Sequence, residues 1–185
     1  MTRQRLRPAH TPKELARIYA VPHNHHQWAD HIMRVDTTVK FGAEVFGAMG
    51  LGADLSCGSG AILRGLPVAR RIFGDFAPGY QFTGPLEETL EQIPDVDLYV
   101  CCETLEHLDD PDAVLKQIRA KSAALLLSTP IDAWGDTNLE HYWAWSMTDL
   151  EEMLTAAGWD VIDSMELDFR ALSPNHYNFA IIGCR

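Results

Sequence analysis

The period of apolar and polar positions changes several times along the chain, and those changes outline its elements. Trp28, Ile32, Val35, Val39 and Phe46 recur at the spacing of one helix face. Upstream, Thr11-Pro12-Lys13-Glu14 combines a capping residue, a glutamate three positions on and a proline at the first helical position. That pattern predicts a short helix over residues 12–20, closed by Pro22. Leu51 to Leu55 reads as a short buried strand entering a glycine-rich turn. Further strands are predicted at 70–74, 80–83, 97–102 and 123–128. Helical patterns lie at 111–120 and between Ser146, which opens like a cap, and Gly158. Strands alternating with helices predict a mostly parallel α/β sheet. Residues 160–169 and 176–183, joined by Ser173-Pro174-Asn175, break the alternation and predict an antiparallel pair.

Composition narrows the class. At 185 residues the chain has room for one core, and no repeat, low-complexity tract or linker divides it. With 46% hydrophobic and 22% charged residues it is ordinary for a globular domain. A net charge of -11 argues against a general nucleic-acid binder. The basic residues are uneven, however: Arg3, Arg5, Arg7, Lys13 and Arg17 fall in the first 17 positions, against Glu14 alone. This start reads as a solvated arm, with a binding arm as the alternative. No window is apolar enough to span a membrane. Cys57, Cys101, Cys102 and Cys184 have neither zinc spacing nor a secretory context, so a cytoplasmic protein with reduced thiols is expected.

The chemistry-bearing residues come in order. Asp54-Leu-Ser56-Cys57-Gly58-Ser-Gly60 follows the first predicted strand, where glycines let a ligand approach the backbone. Val100 to Pro111 runs from a strand into a helix start, and Leu125 to Pro130 is a strand with a polar, proline-closed end. Glu140 to Ser146, with Tyr142, Trp143 and Trp145, precedes the last helix. Taken together, residues 48–185 resemble the class I S-adenosylmethionine (SAM)-dependent methyltransferases. The resemblance implies a single-domain, Rossmann-like doubly wound α/β sheet of about seven strands with the last antiparallel. It implies SAM as cofactor, held by Asp54, Ser56, Cys57, Gly58, Gly60, Asp75, Leu86, Cys102 and Glu103. Asp75 would accept from the ribose hydroxyls, and residues 1–47 would form a helical lid segment. The chain departs from the family in three places. Ser56 replaces the usual first glycine, Gly84-Pro85-Leu86 replaces an acid after the third strand, and helices shrink between Gly60 and Phe82.

Glu103, Glu106 and His107 stand at i, i+3 and i+4, so a helix beginning near Glu103 would project all three from one face. With His141 they form an oxygen-rich set suited to Mg²⁺ or Mn²⁺, imidazole also allowing Fe or Zn. The E-x-x-E-H pattern is similar to the ubiquinone-biosynthesis O-methyltransferases and to the small-RNA 3'-terminal 2'-O-methyltransferases. In both groups these four positions would be metal ligands. Without a metal, His107 or His141 is a candidate general base, and the glutamates would simply favour a helix N-terminus.

The expected activity is methyl transfer to a hydroxyl on a small molecule, with Tyr19, His25 and Trp28 on a lid facing Tyr142 and Trp143. Two alternatives stay open: the 3'-terminal ribose of RNA as acceptor, and a non-catalytic SAM-binding protein. The chain has neither the D/N-P-P-Y/F signature of DNA amino-methyltransferases nor the full G-x-G-x-x-G of a dehydrogenase.

Overall fold

The computed structural model describes residues 2–20, 29–172 and 176–185. His25, Trp28 and the Ser173-Pro174-Asn175 turn lie outside them. In chain order the elements are β1 (Gln4–Arg5), α1 (Pro12–Ile18), α2 (Ala29–Phe46), β2 (Met49–Asp54), α3 (Ala61–Gly65), β3 (Val68–Asp75), β4 (Phe82–Thr83) and α4 (Leu86–Leu90). There follow β5 (Leu98–Cys102), a 3-10 turn (Leu105–His107), α5 (Pro111–Lys121), β6 (Leu125–Ile131), β7 (Trp143–Ala144), α6 (Met147–Ala156), β8 (Val161–Asp168) and β9 (Asn178–Cys184). Seven strands form one sheet in the order β4-β3-β2-β5-β6-β9-β8, with β9 antiparallel to both neighbours.

Strand alternation sorts the core into two layers. In β5, Tyr99 and Cys101 join the helices α4, α5 and α6, whereas Leu98, Val100 and Cys102 pack with Phe41 of α2 and Leu63 of α3. In β6, Leu125 and Leu127 face the first layer and Leu126 the second. Both central strands are buried throughout, which is why they read as unbroken apolar runs. Gly42 lets α2 lie close: a Cβ there would meet Leu126 and Leu66 side chains at 2.8 Å. The helices of the cofactor half are short, five residues each in α3 and α4.

The N-terminal capping box forms as its sequence requires, Glu14 N–H donating to Thr11 Oγ1 and Thr11 N–H to Glu14. Three expectations need correction. The predicted strand at 80–83 is reduced to Phe82–Thr83. The helix after β5 starts at Leu105, so Glu103 precedes it, with a left-handed φ of 52°. The start of the basic arm, though partly exposed, is docked on the domain: β1 pairs with β7, Thr2 donates to Asp149, and Arg3 sits 2.7 Å from Asp112. Arg5 pairs with Asp109, and Arg7 donates to the carbonyls of Asp136 and Asn138. Among the described residues no helix is long and apolar enough to cross a membrane.

Candidate active site

From β2 the chain steps outward to β3 and β4, then returns to β5 on the other side of β2. In open α/β sheets, ligands bind beyond the carboxyl ends of the strands at such a reversal. A cavity of about 720 Å³ opens there, within the usual span of small-molecule sites.

One half of its wall comes from the ends of β2, β3 and β5. Asp54, 4% exposed, accepts from Ser56 N–H at 3.2 Å, and burial, aided by the nearby Asp75, pushes its pKa up to about 8. Asp75 accepts from Gly58 N–H (2.7 Å) on one oxygen and from Ala77 N–H (2.9 Å) on the other. Each oxygen keeps further acceptor capacity toward the cavity. Ser56, at the departure from the glycine pattern, places its hydroxyl 2.7 Å from that of Thr104, tying the turn to the segment after β5. Gly58 adopts a φ of +52° with open space where a Cβ would stand. Cys57, Leu86 and Cys102 also line the wall. Burial raises both thiols to about 12, so they are neutral surface and not nucleophiles. Gly60 precedes α3 with a φ of +72°, its missing Cβ accommodates Phe73 at 2.9 Å, and it is not among the lining residues.

The other half holds the ionisable cluster. Glu106, 1% exposed, accepts from Thr129 at 2.9 Å through Oε2, while Oε1 has no hydrogen-bond partner among the described residues and lies 3.9 Å from His107 Nε2. Burial first, then the charge of Glu103, raises its pKa well above the usual carboxylate range. One ligand atom each from Glu106, His107 and His141 lies within 4.8 Å of the others, and the two imidazoles meet edge to face at 4.8 Å. Glu103 stands outside this triad: the early backbone turn sends its carboxylate to Ser128 (2.9 Å) and Arg34 (3.6 Å). His141 Nδ1 lies 2.6 Å from Asp136. Burial lowers the His141 pKa, but the Asp136 hydrogen bond and the charge of Glu106 outweigh it and raise it overall.

Tyr19 and Tyr142 line the cavity as expected, and His10 N–H donates to the Tyr142 hydroxyl at 3.1 Å. Trp143 does not line it. Its indole N–H donates to Leu108 O, and Arg3 and Arg5 cover the ring. Sequence reasoning missed Arg34, Asp136, Tyr177 and Phe179. Arg34 is 6% exposed, lies over Phe179 at 5.3 Å and places a buried Nη1, without a hydrogen-bond partner among the described residues, 3.6 Å from Glu103. A cation beside the apolar stripe of α2 was the signal for it. Tyr177 and Phe179 carried none.

No protein-family profile and no curated protein sequence matches the chain. Solved structures do, and they define the fold: the chain has a Rossmann-like α/β fold that structures of SAM-dependent methyltransferases share. One is the 1,6-didemethyltoxoflavin-N1-methyltransferase of Burkholderia thailandensis with 1,6-didemethyltoxoflavin and S-adenosylhomocysteine (SAH) bound. It matches at TM-score 0.65 and 16% identity over 97% of this chain and 92% of that one. The N-methyltransferase NodS of Bradyrhizobium japonicum, also with SAH, matches at TM-score 0.66 and 17% identity over 94% and 97%. The cyclase SpnF matches at TM-score 0.67 and 14% identity over 97% of each chain.

Proposed function

We propose that the protein is a SAM-dependent methyltransferase acting on a protic group, a hydroxyl in the first instance, of a small molecule. The observation that carries this reading is one cavity joining the Asp54–Gly58–Asp75 wall to the Glu106–His107–His141 cluster. The residues fit SAM chemically. Asp75 retains acceptor capacity for two hydroxyls, Gly58 leaves its backbone open, and buried Asp54 faces a positively charged group more comfortably than solvent-free space. Arg34 offers a buried cation to a carboxylate. Bound there, SAM supplies a methyl group made electrophilic by its sulfonium. The chain's part is to hold the acceptor in line and take its proton, for which His141 is the base. Residues 1–47, whose His10, Tyr19, His31 and Arg34 line the cavity, are proposed as its cover.

A second reading adds a divalent ion on Glu106, His107 and His141, favoured by the orphaned Glu106 Oε1 and the close ligand atoms. An ion there would lower the pKa of an acceptor hydroxyl. Mg²⁺ or Mn²⁺ suits the carboxylate, Fe or Zn the two imidazoles.

Isothermal titration of SAH into the protein, with and without Mn²⁺, tests both. Saturable binding is expected, and wild-type protein that binds no SAH refutes the methyltransferase reading. A Mn²⁺ heat that survives Glu106→Ala with His107→Ala removes the ion from this site.

A further inference from the structure

Asp136 and His141 lie in the loop between β6 and β7, with side chains only 3% and 8% exposed. Three donors converge on the Asp136 carboxylate. Oδ2 faces His141 Nδ1 at 2.6 Å, and Oδ1 accepts from Asn138 N–H at 2.8 Å and from the Tyr177 hydroxyl at 3.1 Å. An ionised carboxylate only accepts, so the proton between the two groups belongs to Nδ1. The ring nitrogen left for the cavity, beside Glu106 and His107, is Nε2.

We infer that Asp136 is the positioning residue of this site, holding His141 as the Nδ1–H tautomer so that the Nε2 lone pair faces the acceptor. The inference rests on the proposed role of His141. When an acceptor R–OH takes the methyl group, the oxygen–carbon bond forms, the sulfur–carbon bond breaks with its electron pair returning to sulfur, and the hydroxyl proton passes to Nε2. Asp136 touches neither reactant. Its effect is on which nitrogen is basic and where it points, as for any carboxylate behind a histidine.

The geometry also dictates what a substitution does. In Asp136→Asn, the Asn138 N–H and Tyr177 hydroxyl still require an acceptor, so the amide oxygen stays with them. The amide NH₂ then faces His141 Nδ1 and forces the proton onto Nε2. Proton–nitrogen correlation spectra of ¹⁵N-histidine-labelled protein, recorded where His141 is neutral and assigned by His141→Gln, read this directly. The expected result is an Nδ1–H pattern in wild type and in Tyr177→Phe, and an Nε2–H pattern in Asp136→Asn. An Nε2–H pattern in the wild type overturns the inference even if Asp136→Asn fails to fold. A folded Asp136→Asn that keeps the Nδ1–H pattern overturns it equally. SAH titration of the same samples keeps the two readings apart. Wild type without SAH binding refutes the methyltransferase, while the tautomer result stands or falls by itself.

Discussion

Asp54 shows at one residue how a ligand site costs the empty protein stability. Its folded pKa of about 8 lies far above the unfolded value near 3.8, so folded protein binds a proton that unfolded protein has released across that window. Stability from this group is therefore full below about pH 4 and is lost as pH rises toward 8, by up to about 1.4 kcal/mol per unit. Asp54→Asn keeps an oxygen for the Ser56 N–H but removes the ionisation. Thermal melts of the ligand-free proteins should coincide near pH 4, with the variant melting on the order of 10–20 °C higher by pH 8. The same variant should bind SAM more weakly. An offset independent of pH would show that Asp54 titrates normally. Residues of this kind were legible in the sequence because each stands in a local pattern: Asp54 before glycines, Glu106-His107 at a helix start, His141 before aromatics. Asp136 and Tyr177 were not, since a carboxylate and a phenol 41 positions apart meet only when β9 lies beside β6.

At the scale of elements, the sequence indicated those with an internal cause. The capping boxes at Thr11 and Ser146 and the buried runs of β5 and β6 fold as their patterns require. What stayed hidden were pairings between distant short segments, chiefly β1 with β7. Two residues carry no periodicity, and the charge of Arg3, Arg5 and Arg7 suggested solvent instead. Their partners explain the difference. Asp112 and Asp109 flank the start of α5, the carbonyls of Asp136 and Asn138 take Arg7, and Leu6 N–H donates to Tyr142 O at 2.8 Å. The arm thus straps down the loop that carries Asp136, His141 and Tyr142. Removing residues 2–8 should cost only on the order of 1–3 kcal/mol, because the ion pairs are partly exposed and the ladder is short. Hydrogen exchange should nevertheless accelerate at least tenfold across residues 136–144 while β5 and β6 stay protected. Uniform acceleration, or none, would contradict a strap.

For the whole molecule, the mostly parallel α/β sheet with an antiparallel pair at its end was legible because buried strands alternate with helices until that last pair, whereas the strand order was not. The partner class was less legible, because charge read along the chain differs from charge read across the fold. The cluster of five basic residues at the N-terminus suggested RNA as one acceptor. In the folded protein, Arg3 and Arg5 are in ion pairs and over Trp143, and Arg7 serves backbone carbonyls. Asp30, Glu87, Glu103, Asp109 and Glu140 line the cavity that a 3'-end would have to enter. Duplex or single-stranded, RNA gains affinity by exchanging counterions for protein cations, and this face presents mainly carboxylates. A short RNA with a free 3'-hydroxyl, titrated in low salt with Mn²⁺ and SAH, should therefore bind no tighter than about 10⁻⁴ M, the weak end of non-specific association. Micromolar binding that weakens steeply with added salt would return RNA to first place. It would also require the arm to leave β7, so exchange across residues 136–144 should rise when RNA is added. A small hydroxylated acceptor makes the opposite demand, binding with little salt dependence and with the arm in place.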